Sequence, residues 1–367
     1  MSPADTQGPP RYGTLQIEIT SHCNLRCHTC VADELHEQWE SRHLSPQAFA
    51  RIEAIAPRCN SIHLQGWGES LLRDDLPDLI RRLKAHGCRV TLSTNGTIMD
   101  ASLARALIEA GLDSMAFSLA GATAATQDPL RGAGTFDSAC DAIRTFIAQR
   151  GSKKQPPVLV NYLLTPRNQQ LLHRAVILCA GLGVDRLKGT HMVHVCCREQ
   201  QQLIGYLPPG ARGQGFFFSR ALALLRGISL VLPPMQPELV PICEKNPLHN
   251  FFVGADGSLS PCVFLNPPLR GTFPLIREGH EQTASRYILG NLNRQGVDEV
   301  WHSEEYQRFR QAFEQRLTLY ETLLAGIPAN SEGAKRLERA VDEITKRFVS
   351  DLLPPEPCRG CAQLLGF

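Results

Sequence analysis

The 367-residue chain has no run approaching about 18 consecutive apolar residues, so a hydrophobic helix long enough to span a bilayer is excluded. It also lacks an excess of either charge: 38 Lys and Arg stand against 36 Asp and Glu, a formal net charge of +2. A clustered basic surplus is the usual mark of a phosphate-tracking protein, and without one nucleic acid is not an expected partner. The opening MSPADTQGPPRYG has no apolar core of the kind a secretory signal needs. Residues 1–13 are therefore expected to form a flexible start, and the chain to be cytoplasmic. There is no low-complexity tract and no internal repeat beyond a strand–helix period. With 43% hydrophobic and 20% charged residues the composition is ordinary for a globular protein, and this length usually divides into about two domains. Cysteine is the exception, at 13 residues. In a reducing compartment structural disulfides are a poor explanation for so many, and metal or catalytic thiols a better one.

From Thr14 to about Lys188, short β-branched or apolar runs alternate with longer amphipathic ones. The expected strands are Thr14–Thr20, Ser61–Gln65, Arg89–Ser93, Ser114–Leu119, Val158–Leu164 and Asp185–Lys188. The expected helices between them are Pro46–Ala56, Leu76–His86, Ala101–Ala110, Phe136–Gln149 and Gln170–Leu182. Leu76, Leu79, Ile80 and Leu83 follow the spacing of a one-sided helix. Pro46 behind Ser45 reads as a first-turn proline after a cap. Six such units predict an α/β fold with a parallel sheet, too few for a closed eight-stranded barrel but enough for a partial, TIM-like (βα)6 barrel. Beyond Lys188 the rhythm fails. The helix-like Phe216–Leu225, the strand-like Ile228–Leu232, a hairpin turning at Asp256-Gly257, and two long helices over Val297–Leu324 and Ser331–Leu352 follow. The domain boundary is expected near Pro233–Pro241, dividing a barrel over 14–235 from a smaller cysteine-rich α+β domain over 236–367.

Three cysteines stand directly after the first strand, Cys23-Asn-Leu-Arg-Cys27-His-Thr-Cys30. A loop at the C-terminal end of a parallel strand is where α/β barrels place their chemistry. Iron–sulfur cubanes normally take four thiolates, and three leave one iron open for a non-protein ligand. On spacing alone a zinc knuckle completed by His22 or His28 is the alternative. Gly66-Trp67-Gly68-Glu69 follows the second strand, Ser93-Thr94-Asn95-Gly96 ends the third, Ser118 ends the fourth, and Arg131-Gly132-Ala133-Gly134-Thr135-Phe136 and Asn161 come next. Glycines admit close backbone approach to a ligand, and a carboxylate pairs with an ammonium group.

Together these residues resemble the radical S-adenosylmethionine (radical SAM) superfamily over 14–190. The resemblance implies that Cys23, Cys27 and Cys30 hold a [4Fe–4S] cluster whose open iron takes S-adenosylmethionine, and that reductive cleavage yields a 5′-deoxyadenosyl radical. It implies further that Gly66, Gly68 and Glu69 meet the amino group, while Ser93, Asn95, Ser118 and Asn161 supply hydroxyl and amide contacts to the same molecule. Two positions depart from the common pattern: Thr29 stands where many members have an aromatic, and Ser70 where a proline is common. Neither removes a ligand.

A second constellation comprises Cys243, Cys262 and the pair Cys358-Arg-Gly-Cys361. Four thiolates suit a closed site, zinc or iron–sulfur, and spacing does not separate the two. The pattern Gly257-x4-Cys262, with Leu289-Gly-Asn-Leu-Asn, Val300-Trp301-His302-Ser303 and Tyr306-x2-Phe309-Arg310 between the second and third cysteines, resembles the SPASM or twitch extension of radical SAM enzymes. That resemblance implies one auxiliary [4Fe–4S] cluster, with a helical insertion about 317–353. Of the remaining cysteines, Cys59, Cys88, Cys140 and Cys179 read as core, while Cys196-Cys197 follows the last barrel strand.

The expected activity is that of an oxidoreductase-type radical SAM enzyme. Hydrogen abstraction would lead to net oxidation of a small molecule or cofactor precursor, with the auxiliary cluster accepting an electron and flavodoxin or ferredoxin as the reducing partner. With the first strand expected near Thr14, no fused leader-binding domain is expected, which favours the small molecule over crosslinking, thioether formation or epimerisation of a peptide. A non-catalytic metal-binding or assembly protein is the remaining alternative.

Overall fold

The computed structural model describes residues 11–206 and 216–367. Twelve strands are present among them: β1 (Tyr12–Ile17), β2 (Cys59–Leu64), β3 (Arg89–Thr94), β4 (Ser114–Leu119), β5 (Val158–Leu163), β6 (Arg186–Thr190), β7 (Ser229–Val231), β8 (Phe251–Val253), β9 (Ser258–Ser260), β10 (Thr272–Arg277), β11 (His280–Ser285) and β12 (Gly290–Asn291). Ten of them form one sheet in the order β12-β9-β8-β1-β2-β3-β4-β5-β6-β7, with β10 and β11 apart as an antiparallel pair. Strands β1 to β6 are mutually parallel, as the strand–helix rhythm predicts. Both edges of that partial barrel are extended. β7 adds parallel to β6, and β8 adds parallel to β1.

The strands alternate with period two, and the alternation decides what the barrel contains. Leu15, Ile17, Ile62, Leu64, Val90, Leu92, Met115, Phe117, Val158 and Val160 are buried in one core with the surrounding helices. The intervening Gln16, Ser61, His63, Thr91, Ser93, Ser118, Asn161 and Lys188 line the opposite, interior wall. The helices dock by the expected stripes. Leu76–Ala85 buries Leu76, Leu79, Ile80 and Leu83, and Ser45 caps Pro46–Ile55 by accepting the Ala48 N–H at 3.1 Å.

Several expectations need correction. A helix over Ala124–Arg131 is not among the expected elements; Pro129 lies inside it, past the first turn, and leaves that helix one donor short. The long helix expected over Val297–Leu324 is two, Val297–Trp301 and Glu304–Leu324. The chain breaks at Ser303, whose hydroxyl caps the second helix through the Tyr306 N–H. The insertion expected from about 317 therefore begins inside a helix, whose partner is Ser331–Ser350. The flexible start expected over residues 1–13 lies largely outside the described residues, and Tyr12 and Gly13 already belong to β1. The stretch proposed for the domain boundary is irregular, lying between β7 and β8. No helix among the described residues is long and apolar enough to cross a membrane.

Candidate functional site

At the end of β1 the chain turns into the loop that carries Cys23, Cys27 and Cys30. Two contacts shape it: the Cys30 N–H donates to the Cys27 carbonyl at 2.8 Å, and Thr20 bridges to His43. A third comes from a distant segment. Gln200, fully buried, donates its amide to the carbonyls of His28 and Cys30, each at 3.1 Å. Its Oε1 accepts the Cys196 N–H at 3.0 Å. Cys196 is buried beside Cys30, Val31 and Leu35.

The three thiols line a cavity of about 220 Å3 with Gly66, Trp67, Gly68, Glu69, Ser93, Asn95, Ser118 and Arg131. Surrounding protein pushes Cys23 up to about 11 and Cys30 up to about 12. Metals bind the thiolate, so a cationic centre would offset the cost that burial sets on ionising these thiols. Neither histidine considered for a zinc knuckle completes the set. His28 Nδ1 faces Asp33 at 3.3 Å, and the His22 ring packs on His43 with centroids 4.6 Å apart. Among the described residues no three cysteine sulfurs lie within 4.8 Å of one another. Thiolates sharing one zinc at a Zn–S length of about 2.3 Å would sit about 3.8 Å apart, so the donor set suits a larger iron–sulfur centre better.

Gly66 and Gly68 are there because the loop passes against the end of β1. A Cβ on Gly66 would lie 2.3 Å from Glu18 Cβ, and one on Gly68 would lie 2.3 Å from the Thr20 carbonyl oxygen. Glu69 is buried. Its Oε1 accepts from Thr94 Oγ1 at 2.7 Å and the Leu71 N–H at 3.1 Å, and its Oε2 from the Asn95 N–H at 2.7 Å. Burial raises this carboxyl against those donors. A carboxylate has about four acceptor positions, so capacity remains for one more donor. Opposite in sign, the buried Nε of Arg131 has no hydrogen-bond partner, while one terminal nitrogen donates to the Ser118 carbonyl at 3.1 Å. One anionic and one cationic group on the same wall match the two ends of an amino-acid zwitterion.

The other expected residues divide. Ser93 and Ser118 line both this cavity and a larger one of about 550 Å3 that fills the barrel. Asn161 lines only the larger. Asn95 contributes its backbone, because its side chain is occupied with Asn24 and Thr97. Sequence reasoning did not single out Glu18, Gln200 or His63. Glu18 could have been found by alternation, since it falls on the interior-facing side of TLQIEIT. His63 holds Thr91 Oγ1 and Gln65 Oε1, each at 2.7 Å, and burial lowers it.

All four cysteines of the second set, Cys243, Cys262, Cys358 and Cys361, line a further cavity with His194, Lys245, Phe309 and Phe313. Cys262 is pushed up to about 12, chiefly by burial. His194 is buried there with an unpartnered Nε2, and burial holds it down at about 4, leaving a neutral ring. An orphaned ring nitrogen beside four thiols fits a cluster whose sulfurs accept hydrogen bonds. His194, Val193, Lys245 and Phe264 also line the barrel cavity, so that chamber lies between the two cysteine sets.

The sequence pattern of the Radical SAM superfamily matches residues 17–169, and that of SPASM, an iron-sulfur cluster-binding domain, matches residues 243–322. The chain is 32% identical over 275 residues to a probable GTP 3′,8-cyclase of Metallosphaera sedula, covering 69% of this chain and 83% of that one. It is 25% identical over 304 residues to the tungsten-containing aldehyde ferredoxin oxidoreductase cofactor-modifying protein of Pyrococcus furiosus, covering 81% and 82%. Among solved structures, Streptococcus suis SuiB bound to S-adenosylmethionine matches with a TM-score of 0.59 at 15% identity, over 81% of this chain and 67% of that one. Native anSMEcpe with bound AdoMet matches at 0.58 and 15% identity, over 93% and 99%. At such identities these two likenesses concern the fold alone.

Proposed function

Because this chain belongs to the radical SAM superfamily and carries a SPASM iron–sulfur domain, we propose that it oxidises a small molecule or cofactor precursor by hydrogen abstraction inside the barrel. Its cofactors are S-adenosylmethionine, the [4Fe–4S] cluster of the radical SAM site and an auxiliary cluster. When bound, these groups supply one-electron cleavage of a sulfonium, hydrogen-atom abstraction and an electron acceptor. The protein supplies everything else. Cys23, Cys27 and Cys30 would hold the first cluster, and Cys243, Cys262, Cys358 and Cys361 the second. Glu69 would accept from the ammonium of S-adenosylmethionine and Arg131 would meet its carboxylate, with Gly66 and Gly68 allowing the close approach. Ser93 and Ser118 stand where the cofactor cavity opens into the barrel, and Asn161 sits one strand further into it.

A single observation carries the reading: the polar chamber of about 550 Å3 touches the three-cysteine cavity at one side and the four-cysteine cavity at another. A substrate held there is within reach of a hydrogen-abstracting group and of an electron acceptor, as a net oxidation requires. The two relatives named above, a cyclase and a cofactor-modifying protein, support a small-molecule substrate over a peptide. A cytoplasmic location and a flavodoxin or ferredoxin donor belong to the same reading. The test is anaerobic reconstitution with iron and sulfide, addition of S-adenosylmethionine and dithionite, and chromatography. Formation of 5′-deoxyadenosine is expected; its absence from a chain with full iron content overturns the catalytic reading in favour of a metal-binding scaffold.

A further inference from the structure

The barrel chamber is polar, and its polarity is one-sided in charge. Its wall includes Arg89, Arg131, Lys188 and Lys245, and among the described residues lining it there is no Asp or Glu. Much of the β1–β2–β3 wall is already satisfied within the protein. Thr14 meets Ser61 at 2.8 Å, His63 holds Thr91 and Gln65, and Gln16 donates to the Gln65 carbonyl. Those groups form a fixed, mutually bonded ladder with little left to offer a ligand.

The opposite side differs. Lys188, on β6, pairs at 3.2 Å with Glu244, whose side chain is 62% exposed. An ion pair so open to water contributes little and is readily exchanged. Lys245 has no carboxylate partner among the described residues. Its ammonium lies 5.3 Å from the centroid of the Phe264 ring. It also lies near enough to His63 for its charge to act on that ring. Register places Lys188 opposite Asn161 and Asn161 opposite Ser118, which lines the three-cysteine cavity. Two strand spacings, about 10 Å, thus separate Lys188 from the place where hydrogen abstraction is proposed.

One ammonium with no carboxylate partner among the described residues, Lys245, and one held only by an exposed, exchangeable ion pair, Lys188, in a concave chamber whose described lining has no carboxylate, make a site for an anion. Resting on the reading of this chamber as the substrate site, we propose that Lys188 and Lys245 bind an anionic group, phosphate or carboxylate, of a small-molecule substrate. Charge-assisted hydrogen bonds orient that group toward the auxiliary side and leave the rest of the molecule facing Ser118 and Ser93.

The experiment uses the anaerobically reconstituted full chain, titrated calorimetrically with inorganic pyrophosphate, with citrate, and with glucose as the uncharged control. Saturable binding of at least one anion and none of glucose is expected. Pyrophosphate alone marks a phosphate site, citrate alone a carboxylate site. K188M and K245M should each weaken that binding roughly ten- to hundred-fold, K245R should restore most of it, and the exposed K346M should leave it unchanged. Iron content and melting temperature of each variant report folding independently. The proposal is overturned if neither anion binds better than glucose. It is equally overturned if both lysine variants bind as wild type does, or if K245M only shifts the potential of the auxiliary cluster. The 5′-deoxyadenosine assay on wild type is scored separately, so failure of the catalytic reading is distinguishable from failure of anion binding.

Discussion

Replacing Gln200 with Leu tests how the cysteine loop is held. The side chain is fully buried and links the carbonyls of His28 and Cys30 to the N–H of Cys196. Leucine is slightly larger, so the substitution opens no cavity and the lost hydrogen bonds are the main term. The Cys30 carbonyl keeps a partner in the Asp33 N–H at 3.2 Å, but the His28 carbonyl and the Cys196 N–H are each left without the bond described here. A buried Cys196 N–H left unsatisfied at about 2 kcal/mol and a part-buried His28 carbonyl at about 1 kcal/mol give about 3 kcal/mol. At an unfolding entropy of about 2 cal/mol/K per residue, that lowers the melting temperature of a chain this long by about 4 °C. The assay is calorimetry of the metal-free chain, followed by iron analysis in a Cys358→Ala background so that the iron counted belongs to the three-cysteine loop. Q200L should melt low and hold less than about half the iron of its parent, since metal affinity depends on how the loop is presented. A variant melting within about 1 °C of its parent, with full iron, would refute this account of the loop.

Cys358→Ala in the wild-type chain should lower bound iron from about eight to about four atoms per chain, and full retention would remove the auxiliary assignment. Gly68→Ala would set a Cβ 2.3 Å from the Thr20 carbonyl oxygen and 2.7 Å from that of His22; S-adenosylmethionine affinity by equilibrium dialysis should fall roughly ten-fold or more, and unchanged affinity would show that the loop has room to move. Burial holds the Glu18 carboxyl up at about 7 against an ordinary 4.5, with the N–H groups of Trp67, Ala255 and Gly68 opposing. The folded chain then keeps a proton that the unfolded chain has lost, so stability should fall by about 3 kcal/mol as pH rises from about 4.5 to about 7. Thermal melts across that window should be flatter for Glu18→Gln, and equal slopes would contradict the shift.

Much of this was legible because the barrel obeys short-range rules. Strand β4 begins and ends where its short apolar run places it, and the helix Leu76–Ala85 where its stripe of leucines and isoleucine does. The three-cysteine loop and Gly66–Glu69 were legible as ligand types because each lies at the C-terminal end of a parallel strand. The rest depended on contacts that no local pattern carries. Gln200 acts on residues about 170 positions earlier in the chain. Lys245 gains its meaning only when the irregular stretch before β8 folds over the barrel, and Asn95 loses its side chain to neighbours that spacing does not reveal. The break at Ser303 was readable in principle, since a serine ahead of two glutamates is a cap signal, but an unbroken amphipathic period hid it.

The segments on either side of Pro233–Pro241 are tied together by strand pairing and side-chain contacts. An open barrel leaves the outer edge of β1 with unpaired backbone groups, and β8 satisfies them. That pairing delivers the β8–β9 hairpin, and with it Cys262, to the side of the three-cysteine loop. Glu18 then fastens the two: one carboxylate oxygen accepts from Trp67 and Gly68 of the glycine loop, the other from Ala255 of the hairpin. Trp67 adds a second tie through its indole N–H, which donates to the Val263 carbonyl, next to Cys262, at 3.1 Å. The loop that contacts the first cofactor cavity therefore also positions the second cysteine set. Tyr12 and Arg58 both reach Asp298 of the helix Val297–Trp301 and close the same joint from the opposite end of β1. A fixed spacing between the two sites is what the proposed oxidation would need, because in that proposal electron transfer and hydrogen abstraction address the same bound molecule. The barrel edge that had to be covered for stability is the edge that sets this spacing.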